Sequence, residues 1–493
     1  MALNALDLLV IVVYLAGVTL FGLRFRKKQR TIKDYFLAAN TIPWWAISLS
    51  IVAAETSTLT IISVPGIAYE KDFRFLQWVF GYLLGRIVIC VVLIPQYFRG
   101  DLVTAYQLIE RRFGQKLRTL TAGLFLITRA AAEGVRVFAV AIVVGIALSS
   151  FFAGFTDFSR DVVAIGVVTC LTLIYTFEGG MAAVIWTDVV QLIIYVAGTL
   201  VGLFTLLHLI PGGWGSVHSI AGSAGKFRVF DFSWNFYTTY TFWAGVIGGA
   251  FFTTASHGTD QLIVQRLLAS RNERQSKLAL LSSGIAILLQ FSLFLFVGAM
   301  LYVFYKLVPP DVPFARTDRI FPTFIVTRMP HGVSGLLISA ILAAAMSNLS
   351  AALNSLSSIS IVDFYAHFRP SSTEERRVFL SRVATVGWGI VLFALAIIAR
   401  RGGRVLEVGL SIASVAYGSL LGVFLLGVLT RKASENGAMV GMLCGFILNI
   451  YLWQFTKVSF TWYVALGSGV TFAVGYAVST VWPGAAAHSE NNA

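Results

Sequence analysis

The chain has 493 residues, 57% of them hydrophobic and only 12% charged, with a mean hydropathy of +0.80. Soluble domains carry about 25% charged residues and stop enlarging one core beyond roughly 250–300 residues, so a soluble fold is excluded and an all-α integral membrane protein is expected. The net charge of +14 does not point to nucleic acid, because the basic residues sit in short clusters between apolar runs, as in Arg24, Arg26, Lys27, Lys28 and Arg30. Lipid headgroups and the insertion machinery read such clusters.

The first apolar run, Leu6 to Leu23, has no basic stretch before it and one after it. A signal peptide has the opposite polarity, so the run is read as a retained span. Stretches of about 20 apolar residues, enough to cross a bilayer as a helix, recur near 5–24, 43–69, 75–98, 118–150, 161–178, 181–210, 235–265, 277–306, 333–362, 380–399, 405–429, 434–455 and 459–482. They make about thirteen transmembrane helices. The basic loops 24–34, 99–118, 266–277 and 369–382, with Arg431 and Lys432, then share one side. That side is the cytoplasm, which places the N-terminus outside the plasma membrane and the C-terminus inside. Arg400, Arg401 and Arg404 are the exception. A single transmembrane domain is expected over 1–482, with 483–493 a disordered cytoplasmic tail. Cys90, Cys170 and Cys444 lie inside apolar runs without metal or disulfide spacing.

Span two reads Ala53-Ala54-Glu55-Thr56-Ser57-Thr58-Leu59-Thr60, then Pro65-Gly66; span seven holds Gly248-Gly249, then Thr253 to Asp260. Both are polar and breakable at membrane depth, five spans apart. Interrupted helices at corresponding places in two halves point to a transporter's binding site, although small residues also serve close helix packing. Span nine adds Ser347, Ser350, Asn354 and Ser358 on one helical stripe, hard oxygen ligands that suit sodium or again a packing stripe. Arg129, Glu133 and Arg136 share one face of span four and must face protein or water, since a charge at the helix centre costs about 2.5–3.5 kcal/mol. They are either self-neutralising or present net positive charge to a cavity. Glu55 and Arg86 are a second candidate intramembrane pair. The six histidines do not cluster and no nucleophile–base pair stands out, so an enzyme is not expected.

These residues resemble the sodium:solute symporter family. The resemblance runs over nearly the whole chain and is most specific in Gly179-Gly180-Met181 to Gln191, in Gly258-Thr259-Asp260-Gln261 to Arg266, and in Thr104 to Gln107 with Glu110 to Gly114. It implies a LeuT-like fold, with 43–210 and 235–429 as inverted five-helix repeats and extra helices flanking them. It also implies a sodium site formed by the backbone carbonyls of Ala53, Thr56 and Ala344 and the side chains of Ser347 and Asn348. Asn348 departs from the family's usual Ser or Thr. Asp188 matches a family acid associated with the sodium path, and Glu55 stands where proline carriers hold an Asp that matters for sodium.

The expected function is a sodium-coupled secondary active symporter that imports a small organic solute by alternating access, with Na+ as coupling ion and no organic cofactor. A proton-coupled symporter working through Glu55, or a transporter-like sensor, is the alternative. Candidate substrate contacts are Ser57, Thr60, Arg129, Glu133, Arg136, Thr253, Ser256 and His257. The arginines favour a carboxylate or zwitterion over a sugar, as does Thr60, where sugar carriers of the family place Gln.

Overall fold

The computed structural model describes residues 3–23, 38, 41–99, 105–148, 154–175, 181–310, 313–365, 368–369, 371–401 and 403–482. The basic loop 24–34, Thr104, Gly179-Gly180, the tail 483–493 and the side chains of Ser347, Asn354 and Ser358 lie outside the described residues.

Among the described residues the chain is helical. In order it forms α1 (Ala5–Leu23), α2 (Trp44–Glu55), α3 (Thr58–Glu70), α4 (Phe73–Phe98), α5 (Ala105–Phe113), α6 (Gln115–Ala147), α7 (Asp157–Tyr175), α8 (Met181–Leu209) and α9 (Gly213–Ser223). There follow α10 (Gly249–Gly258), α11 (Gln261–Leu268), α12 (Glu273–Leu307), α13 (Ile320–Arg328), α14 (Val333–Ile359), α15 (Glu374–Ala399), α16 (Val405–Leu429), α17 (Glu435–Phe455) and α18 (Tyr463–Val481). Nine described helices are long and apolar enough to cross a membrane, or ten spans if α2 and α3 count as one bent span. At the remaining expected positions stand α1, whose apolar stretch is Ala5–Gly17, α7 and α10. The short helices α5, α9, α11 and α13 lie outside or at the edges of the hydropathy windows.

Contacts between loops sort the helix termini into two ends. At one, Ile42 pairs with Ser270, the Ala105 N–H donates to Gln261, Lys116 N–H to Glu435 and Arg112 to the Thr430 carbonyl. At the other, Gly332 and Gly335 donate to Asp7, Lys226 to the Lys71 carbonyl, and Ser459 N–H to the Phe236 carbonyl. This second end also carries the exceptional arginines. Arg400 meets Asp161 at 2.8 Å, and Arg404 meets Glu70 and Glu407 at 2.8 Å each. Carboxylates on the same end thus pair with Arg400 and Arg404.

Both expected interruptions occur, but not where every breakable residue suggested. α2 stops at Glu55 and α3 restarts at Thr58, bent by 65°. Thr56, Ser57 and Thr58 are hydroxyl residues that compete for backbone hydrogen bonds and so favour a break. Pro65 and Gly66, by contrast, lie inside continuous α3. In span seven the chain passes from a π-turn at Ala244–Gly248 into α10 without a break at Gly248-Gly249. Those glycines serve close packing instead: a Cβ on Gly248 would lie 1.9 Å from the Thr461 carbonyl oxygen, and one on Gly249 would lie 2.5 Å from that of Trp78 on α4. The break falls at Thr259–Asp260, where the Asp260 carboxylate accepts the Leu262 N–H at 2.9 Å and caps α11.

Candidate functional site

A cavity of about 320 Å³ lies between the two breaks. The first break supplies Glu55, Ser57 and Thr60, α6 supplies Arg129 and Arg136, α10 supplies Ser256 and His257, and α14 supplies Asn348. Tyr82, Phe252, Phe291 and Tyr417 give the wall its aromatic area, and Asp260 and Arg266 add charge. A neighbouring cleft of about 20 Å³ joins Ser57 and Thr58 to Glu133, Arg136, Ala345 and Asn348. Ala53, Thr56, Ala344 and Asp188 line neither space. Thr253, a candidate substrate contact, does not line the cavity either. It is fully buried against α4, where a Cβ on Gly85 would lie 2.8 Å from the Thr253 Cβ. Ser256 and His257, three and four residues on, are on the cavity side.

The charges form three buried groups. Arg86 is wholly buried and its Nη2 meets Glu55 Oε2 at 2.5 Å, so the expected intramembrane pair is present. His257 Nε2 approaches the same oxygen at 3.3 Å, while its Nδ1 lies 2.9 Å from the Ser256 hydroxyl. On α6, Arg129 reaches Glu133 at 2.9 Å and Arg136 binds the same carboxylate oxygen. Arg129 also lies 3.7 Å from Asp260, which accepts the Tyr417 hydroxyl at 2.9 Å. Nearer the end marked by Ser270, Arg266 bonds Asp188 at 3.0 Å, and Ser50 donates to Asp188 at 2.6 Å. Arg86, Arg129, Arg136 and Arg266 are thus matched by Glu55, Glu133, Asp188 and Asp260. Pairing offsets the cost of placing each charge at membrane depth. The triad on α6 joins Asp260, so it is neither self-contained nor a bare positive face.

At the first break the main chain changes partners. Thr56 N–H bonds the Val52 carbonyl at 2.8 Å, Ser57 N–H turns to the Glu55 carbonyl and Thr60 N–H to that of Ser57. No main-chain N–H among the described residues meets the carbonyls of Ala53 and Thr56. Thr56 Oγ1 is directed to Gln290 at 3.1 Å, so its carbonyl is the group left to a ligand. Asp260, Tyr417 and Arg266 were not among the expected site residues. Asp260 and Arg266 sit in the family-like segment from Gly258 to Arg266, a signal for their place; Tyr417 carries none, as a tyrosine within an apolar run.

Residues 35–445 match the model of the sodium:solute symporter family. The chain is 28% identical to the sodium/sialic acid symporter NanT of Aliivibrio fischeri, over 96% of this chain and 92% of that one. It is 28% identical to the sodium-coupled monocarboxylate transporter 1 of Xenopus laevis, over 86% of this chain and 67% of the relative. The solved structure of a Na+-coupled sialic acid symporter in a substrate-bound, outward-open state superposes with a TM-score of 0.82 at 27% identity, covering 97% of this chain and 98% of that one. With a family match over most of its length, this chain belongs to the sodium:solute symporter family.

Proposed function

We propose that this sodium-coupled symporter carries a small organic carboxylate or zwitterion, and that Arg136 holds the carboxylate. The observation behind this reading is the state of the Arg136 guanidinium. Its side chain is 33% exposed on the cavity wall, and Glu133 engages one of its nitrogens. Arg129 also holds Glu133 at 2.9 Å, so that carboxylate keeps a cation beside it when Arg136 engages a ligand. The rest of its planar fork has no protein partner among the described residues and matches a carboxylate bidentately. A cavity of about 320 Å³ suits a small solute. Relatives named for sialic acid and for monocarboxylates carry acids of this kind.

Sodium is placed between the first break and α14, on the carbonyls of Ala53, Thr56 and Ala344 with Ser347 and Asn348. The unmet carbonyls of Ala53 and Thr56 support this site, as does the cleft in which Ser57 and Thr58 adjoin Ala345 and Asn348. Hard oxygens suit a hard cation, and the Asn348 amide oxygen stands in for the family's hydroxyl. Asp188 and Glu55 flank the ion's route. The two interrupted elements open the inverted repeats 43–210 and 235–429 of a LeuT-like fold with about thirteen spans. The N-terminus lies outside the plasma membrane and the C-terminus inside, as the basic loops direct.

Uptake by proteoliposomes under an inward sodium gradient tests the substrate class with monocarboxylates, amino acids, sialic acid and a neutral hexose. Accumulation of carboxylates is expected. Robust sodium-driven uptake of the hexose would retire the carboxylate reading, and uptake driven by a pH gradient without sodium would favour proton coupling. A C-terminal reporter active only outside the cytoplasm would overturn the orientation.

A further inference from the structure

We infer that Glu55 is the solute's second anchor, an acceptor for a hydroxyl or ammonium donor on the same molecule whose carboxylate Arg136 holds. The inference rests on the carboxylate reading above and adds what another part of the solute must carry. Glu55 ends α2 at the break, lines the cavity, and has a side chain only 10% exposed. Its two oxygens are used unequally. Oε2 takes both Arg86 at 2.5 Å and His257 at 3.3 Å. Oε1 is buried and has no protein partner among the described residues. A carboxylate offers about four acceptor positions, and a buried oxygen without a donor is costly unless a ligand supplies one.

The surroundings keep Glu55 from turning to another protein donor. Arg86 is itself fixed, by Ser283 at 3.2 Å and the Tyr82 carbonyl at 3.3 Å. It lies so close to α12 that a Cβ on Gly284 would come within 3.0 Å of its Cδ. His257 Nδ1 lies 2.9 Å from the Ser256 hydroxyl, and its Nε2 faces Glu55 Oε2 at 3.3 Å and Arg86 Nη2 at 3.4 Å. Arg86, His257 and Ser256 therefore act as positioning residues that hold one carboxylate edge and leave the other unspent. Arg136 and Glu55 line one cavity, so a solute that reaches both carries an anion and a donor.

The test compares sodium-driven uptake of propionate, lactate and alanine, one three-carbon acid bearing hydrogen, hydroxyl or ammonium at C2. Sialic acid and its deoxy analogues extend the comparison to a larger acid. The native protein is expected to prefer the donor-bearing member of each set by about tenfold in kcat/KM, the size expected of one hydrogen bond to a charged acceptor. Glu55→Gln should shrink that preference severalfold, read as the ratio of the two acids so that any loss shared by all solutes cancels, with the variant's level in the membrane reporting its folding. Glu55→Asp keeps the charge, shortens the reach and should fall between them. If carboxylates are carried but donor-bearing and donor-free acids equally well, this inference fails while the carboxylate reading stands. If no carboxylate is carried, both fail. A Glu55→Gln protein that loses all solutes alike, with a raised sodium requirement, would assign Glu55 to the ion instead.

Discussion

Arg136→Lys is expected to lower sodium-driven uptake of the carried acid about tenfold, mainly as a raised KM, with sodium activation little changed. Lysine keeps the charge but replaces a planar fork with a point donor, so the parallel pair of bonds to a carboxylate is lost. The neighbourhood makes the test clean. Arg129 stays 2.9 Å from Glu133, so that carboxylate is not left buried and unpaired. The opposing view gives Arg136 a purely structural role against Glu133. Arg136→Gln combined with Glu133→Gln separates the two. A structural pair predicts that the double variant regains transport lost in either single one, since no lone charge remains. A substrate contact predicts that it stays impaired, because the fork is still missing. Rescue by the double variant, or full activity of Arg136→Lys, would move the carboxylate site elsewhere.

The parts of this fold legible in sequence are those with a local signal. Apolar runs marked the long apolar helices, nine among the described residues and ten spans with the bent α2–α3 pair, because lipid imposes their length, and the Thr56-Ser57-Thr58 cluster marked a true break. The glycine pair Gly248-Gly249 misled because glycine has two uses, unwinding a helix and admitting a neighbouring backbone; only the proximity of Thr461 shows which applies. Thr253 misled for a similar reason. It shares a helix face with Ser256 and His257, at i, i+3 and i+4, but stands one turn earlier along the axis, past the cavity and against α4, a difference in depth that sequence spacing does not show. The Glu55–Arg86 pair was legible because intramembrane charges are rare and need partners. The Asp188–Arg266 and Asp260–Tyr417 contacts were not, since they join residues 78 and 157 apart that only the tertiary fold brings together. The partners of Arg400 and Arg404, which are Asp161, Glu70 and Glu407, were likewise hidden in sequence, because two of the three lie in distant segments.

Ser347→Ala is expected to raise the sodium concentration for half-maximal uptake about tenfold while the protein reaches the membrane in normal amounts. Residues 344, 347 and 348 follow each other at i, i+3 and i+4 on α14 and so share one face. That face adjoins the first break, where Asn348 shares a cleft with Ser57 and Thr58. In the sodium site proposed here, two carbonyls freed by the break, one from α14 and two side-chain oxygens would give about five hard ligands. Deleting one leaves the cation poorly compensated for its lost hydration, whereas the packing of the helix scarcely changes. Asn348 gives a sharper reading. Its amide oxygen can coordinate sodium, and so can a serine hydroxyl, but an alanine methyl cannot. Asn348→Ser should therefore keep sodium activation near the native value, and Asn348→Ala should weaken it as Ser347→Ala does. Equal loss in both Asn348 variants would make the amide a packing or solute contact rather than an ion ligand. Unchanged sodium activation in both alanine variants would place the coupling site away from α14.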